Sequence, residues 1–103
     1  MDRYTSMNAV KQAIGGEFFS GKVDAIVSQN GCNYFYSHIY MKVSYNIGYM
    51  QIDVELIWED DLQQPDYHEM GLHGKYSTKY QTFRYDKGNL MWEDGPNSIT
   101  VML

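Results

Sequence analysis

The chain has 103 residues, 44% of them apolar and 20% charged, and its formal net charge is −5 at pH 7. That composition belongs to one folded domain spanning 1–103 rather than to a disordered segment. The excess of acid argues against general phosphate-backbone binding and against attraction to an anionic membrane, and a lone Cys32 excludes an internal disulfide.

In chain order, Met7, Val10, Ala13 and Ile14 recur at helical spacing. Thr5 or Ser6 can cap the free N–H groups of such a helix, and Gly15-Gly16 suits a left-handed stop. After Gly21 the period becomes two: Val23, Ala25 and Val27 alternate with Lys22, Asp24 and Ser28. Asn30-Gly31 is a hairpin signal, because both residues tolerate the positive φ of a type I′ turn. A returning strand from about Tyr34 to Tyr45 sets Phe35, Ile39, Met41, Val43 and Tyr45 on one face. Tyr34, Tyr36, His38, Tyr40 and Lys42 fall on the other.

Asn46-Ile47-Gly48 turns the chain again, and the next strand alternates most strictly. Met50, Ile52, Val54, Leu56 and Trp58 face one way; Tyr49, Gln51, Asp53, Glu55 and Ile57 face the other. That pattern implies an antiparallel strand with one buried face and one wet face. Residues 59–74 lose periodicity and read as a loop longer than most connections. A fourth strand is expected over 75–85. A short strand through Leu90–Trp92 and a closing strand Ser98–Leu103 follow the turns at Asp86–Asn89 and Asp94–Asn97. The expected fold is α+β: one short N-terminal helix packed on an antiparallel meander of five to six strands. An exposed final strand would allow a homodimer through edge pairing.

Charge is concentrated in the middle. Residues 53–69 hold Asp53, Glu55, Glu59, Asp60, Asp61, Asp66 and Glu69 and no Lys or Arg, while 1–52 and 70–103 each carry +1. Two like charges about 7 Å apart repel by about 0.6 kcal/mol even in bulk water, so such crowding asks for a function. Asp53 and Glu55 share a wet face two residues apart, a spacing comparable to neighbouring phosphates along a nucleic-acid strand. Such a surface steers a basic, nucleic-acid-binding protein partner. Tyr67, among the acids, is the natural aromatic anchor. A solvated face that keeps a small domain soluble is the plainer alternative.

Two other constellations compete. Tyr34, Tyr36 and Tyr40, with Lys42, Lys75, Lys79 and Arg84 as phosphate contacts, would make a single-strand nucleic-acid module. Asp66, His68, Glu69 and His73 carry metal-ligand chemistry, and a small metal-dependent enzyme built on His68, Glu69 and His73 is a third alternative, but their spacing matches no familiar metal motif. Cys32 and His38 lie about 20 Å apart on one extended strand, too far to act as a thiol pair. No catalytic or cofactor motif accompanies them, so a non-catalytic protein without cofactor is expected. In general character the chain resembles the small acidic inhibitors of phages and toxin systems, such as anti-CRISPR proteins and nuclease-capping immunity proteins. That likeness of type implies an inhibitor of a nucleic-acid-handling protein. The opening MDRYTSMNAV lacks the apolar run of a signal peptide, and no segment approaches the ~20 apolar residues of a membrane span; the expected location is the cytoplasm.

Overall fold

The computed structural model describes residues 2–58 and 74–103. Helix α1 spans Asp2–Ile14. It is followed by β1 (Phe19–Gln29), β2 (Cys32–Asn46), a 3₁₀ turn (Ile47–Tyr49), β3 (Gln51–Trp58), β4 (Gly74–Ser77), β5 (Arg84–Asp86), β6 (Asn89–Asp94) and β7 (Asn97–Met102). The strands form one antiparallel sheet in the order β4-β3-β2-β1-β7-β6-β5. The α+β class is as expected, but there are seven described strands rather than five or six, in two meanders joined where β7 pairs with β1.

The additional strand arises because 75–85 is not one strand. Thr78 N donates to Ile52 O at 3.0 Å and Thr78 Oγ1 accepts from Ile52 N at 3.0 Å, which ends β4 against β3. Tyr80 N and Gln81 N then both donate to Ser77 O, closing a turn. The alternating Tyr76, Thr78, Tyr80 favour a strand, but these bonds outweigh that preference.

The sheet cannot be flat. Laid out flat, its two edges would lie about 29 Å apart, six steps of about 4.8 Å. Ser77 at one edge and Arg84 at the other are joined by residues 78–83, and part of that connection is spent in the turn. The edges therefore curl toward each other. The Tyr76 ring of β4 lies 5.3 Å from that of Trp92 in β6, and Phe83 lies 4.7 Å from Trp92.

Helix α1 fills the concave side and packs against β3, β5 and β6. Its Met7 and Val10 are buried with Ala25 and Val27 of β1, Met41 and Val43 of β2, Ile52 and Val54 of β3, and Ile99 and Val101 of β7. Gly15 takes φ +73°, the left-handed stop expected, with its N–H on Lys11 O at 3.0 Å. Ser6, by contrast, lies inside the helix and is fully buried. It is no cap: its Oγ accepts from Phe83 N at 2.9 Å and donates to Gln81 O at 3.4 Å.

Asn30 (φ 55°) and Gly31 (φ 82°) form the expected hairpin turn between β1 and β2. Along that hairpin the register shifts once. Val23 faces Ile39 but Ala25 faces Tyr36, so Asp24 stands opposite both Ser37 and His38. A bulge of this kind reverses which face each residue takes. Beyond it Tyr36 and Tyr34 lie on the side of Ala25 and Val27, while Phe35 turns outward and is 62% exposed. The expected faces hold for Ile39, Met41 and Val43 and are inverted for 34–36.

The final strand is not an edge. β7 is hydrogen-bonded to β1 on one side and β6 on the other, so it has no free edge for pairing with a second copy. No helix among the described residues is long and apolar enough to cross a membrane.

Candidate partner-binding surface

β3 presents the first part of the acidic segment. Because Ile52, Val54 and Leu56 are buried inward, Gln51, Asp53, Glu55 and Ile57 must face outward. Asp53 lies across from Ser44 of β2 and Ser77 of β4, and its Oδ1 accepts from Gln51 Nε2 at 2.9 Å. Glu55 lies across from Lys42 on one side and Lys75 on the other. Directly opposed residues in such pairs have Cβ atoms about 4.5–5.5 Å apart, close enough for each lysine to offset part of the Glu55 field. The described part of the acidic face is thus a mixed surface: Glu55 stands in a row with two lysines, and Asp53 in a row with two serines. Glu59, Asp60, Asp61, Asp66, Tyr67 and Glu69 lie outside the described residues.

Position 55 has a direct test. Glu55→Lys would align three ammonium groups across β2, β3 and β4, and should cost about 1 kcal/mol. That loss would be read as a fall of about 4–8 °C in the thermal midpoint. Asp53→Lys, between two serines, should cost less than half as much. Equal losses at the two positions would show that Lys42 and Lys75 do not engage Glu55.

The residues of the nucleic-acid alternative are not brought together. The bulge sets Tyr34 and Tyr36 on the core side, away from Tyr40, which lies outward between Lys22 and Ile57 and shares a short hydrogen bond with the Ser20 hydroxyl. Lys42 and Lys75 flank Glu55, whereas Arg84 stands at the opposite edge of the sheet, 3.9 Å from Glu93. The metal candidates Asp66, His68, Glu69 and His73 lie outside the described residues. Among those described, no group of three His, Cys, Asp or Glu side chains is close enough to hold a metal ion. Cys32 opens β2 just past the hairpin turn and is exposed.

A cluster that the sequence reading passed over sits where β2 runs into β3. Ile47 is 80% exposed, Tyr49 63% and Tyr80 76%, with Met50 and Lys79 beside them. Contiguous exposed apolar surface of this kind commonly marks an interaction site. The signal in the sequence is faint, because alternation places Tyr49 on a strand face and Tyr80 in the middle of a strand that the structure replaces with a turn. Met50 adds strain, holding φ at 51°, a left-handed conformation that a side chain such as Met seldom adopts.

No family model matches the chain, and neither a curated protein nor a solved structure shows significant similarity to it.

Proposed function

We propose that this protein is a non-catalytic inhibitor that docks its acidic middle third onto the basic surface of a nucleic-acid-handling protein. Its carboxylates would stand where phosphates bind, as in phage anti-defence or immunity proteins. The observation that carries this reading is the charge of residues 53–69: seven carboxylates and no Lys or Arg in a chain whose flanks are nearly neutral. Support also comes from β3, where Asp53 and Glu55 are held in line on the outer face of a strand anchored by Ile52, Val54 and Leu56. A rigid support matters because charges on ordered backbone lose little freedom on docking.

The lysines beside Glu55 shape the proposal. They moderate the field over β3, so the steering charge resides mainly in Glu59, Asp60, Asp61, Asp66 and Glu69. Tyr67 supplies contact area among them. The partner works in the cytoplasm on this reading, and no cofactor takes part.

Attraction of this kind acts mainly on the association rate and weakens as salt shortens the screening length from about 8 Å near 0.15 M to about 3 Å at 1 M. The test is a pull-down from the native host at both ionic strengths, followed by binding kinetics with the basic protein recovered. Asp60→Lys combined with Asp61→Lys should slow association at least tenfold and leave the thermal midpoint nearly unmoved. Association that is unchanged in the double variant would end this reading.

A further inference from the structure

The end of the sheet beyond β2 and β3 is built from two turns, each locked by hydrogen bonds. In the first, Tyr49 N donates to the Asn46 side-chain oxygen at 3.3 Å and Met50 N to Ile47 O at 3.2 Å. In the second, Lys79 N donates to Ser77 Oγ at 3.1 Å, and Ser77 N to Gln81 Oε1 at 2.9 Å. This fastening places Lys79 Nζ 5.5 Å from the centroid of the Tyr49 ring and 5.5 Å from that of Tyr80. With Asn46 and Gln51 these side chains line a hollow of about 320 Å³.

We infer that this hollow binds a nucleotide, with its base stacked on Tyr80 or Tyr49 and its phosphate on Lys79. The inference is independent of the acidic docking surface. Three features select the ligand chemistry. Both tyrosine rings are mostly exposed and present π faces, on which any base stacks. Among the described residues that line the hollow, Lys79 is the basic one and none is acidic, so the complementary ligand is an anion. The two carboxamides are each half used: Gln51 Nε2 is bonded to Asp53 Oδ1, and Asn46 Oδ1 to Tyr49 N. That leaves Gln51 Oε1 as an acceptor and Asn46 Nδ2 as a donor, the pair needed to meet the edge of a base.

Lys79 already covers the rings, so a ligand must displace it. Each exposed cation–π contact contributes about two- to fivefold to an equilibrium, so the two together contribute about four- to 25-fold. A stacked base contributes about five- to 150-fold. Stacking thus offsets the two lost contacts, and the charge contact of the freed ammonium with the phosphate favours the exchange. A second copy of the chain suits the hollow poorly, because a two-fold axis there would bring Lys79 against its own equivalent.

The experiment titrates the whole protein with a fluorescein-labelled oligothymidylate of about eight nucleotides, within the span a stacking platform covers. Thymidine monophosphate and inorganic phosphate serve as separate competitors. Saturable binding is expected, weakened about five- to 150-fold by Tyr80→Ala. Lys79→Gln should flatten the salt dependence by about 0.7 in log K against log salt, the value for one phosphate contact. Tyr4→Ala, on exposed α1 surface, should change nothing. Competition by the mononucleotide as strong as by unlabelled oligomer would assign a free nucleotide as ligand, and a stronger effect of the oligomer would assign a strand. The inference is overturned by an absence of saturable binding, by inorganic phosphate competing as well as the nucleotide, or by binding insensitive to both Tyr80→Ala and Lys79→Gln.

Discussion

Replacing Trp92 with alanine should lower stability by about 3–5 kcal/mol, against a total of about 5–15 kcal/mol for a domain of this kind. The size of the loss follows from where the ring lies. Trp92 belongs to β6 and is fully buried, yet it touches Tyr76 of β4 and Phe83 just before β5. In the sheet order β4 and β6 are separated by four other strands, so this one ring ties the two ends of the curl together. Removing it leaves a cavity that rigid flanking strands cannot collapse, and also loses two ring contacts of about 0.5–1.5 kcal/mol each beyond their area.

Trp92→Phe should behave quite differently. The indole Nε1 is buried and has no hydrogen-bond acceptor among the described residues. Phenylalanine removes that unsatisfied donor, which offsets about 1–3 kcal/mol of the lost packing. The net cost should stay below about 1.5 kcal/mol. Urea unfolding of both variants would check the pair. A phenylalanine variant as unstable as the alanine one would mean that the N–H contributes a bond rather than a penalty.

The elements that sequence made legible share a physical trait: their signals are local. The Asn30-Gly31 turn, the Gly15 stop and the inward set Ile52, Val54, Leu56 depend on backbone preference and period alone, and each stands where expected. What escaped depends on residues distant in the chain. The bulge opposite Asp24 reverses Phe35 and Tyr36, and nothing within 34–45 announces it. The break after Ser77 depends on Ile52, 26 positions away from Thr78. The β1–β7 pairing that buries the final strand is a long-range closure of the same sort. For the candidate surface, residue type revealed the acids and alternation placed Asp53 and Glu55 outward, but the flanking of Glu55 by Lys42 and Lys75 needed the register of three strands.

Long-range dependence also predicts the effect of Ser6→Ala, which should cost about 1–3 kcal/mol although alanine is the better helix former. Propensity alone would have the substitution stabilise α1 by a few tenths of a kcal/mol. The hydroxyl's partners reverse the sign. Ser6 Oγ is the acceptor for Phe83 N and a donor to Gln81 O, with Ser6 and Phe83 both fully buried. Alanine leaves the Phe83 N–H without its acceptor in an apolar setting that includes the Trp92 ring. The same bond docks α1 to the segment linking the sheet edges, so its loss should appear locally as well as globally. Amide exchange at Phe83 and Gln81 should accelerate more than at Val54 in the middle of β3. Asn8→Ala, two residues along on exposed helix surface, should leave stability within about 0.5 kcal/mol. An alanine at position 6 that stabilised the protein would show that the helix is held by its apolar side chains alone, and that the curl closes without this hydroxyl.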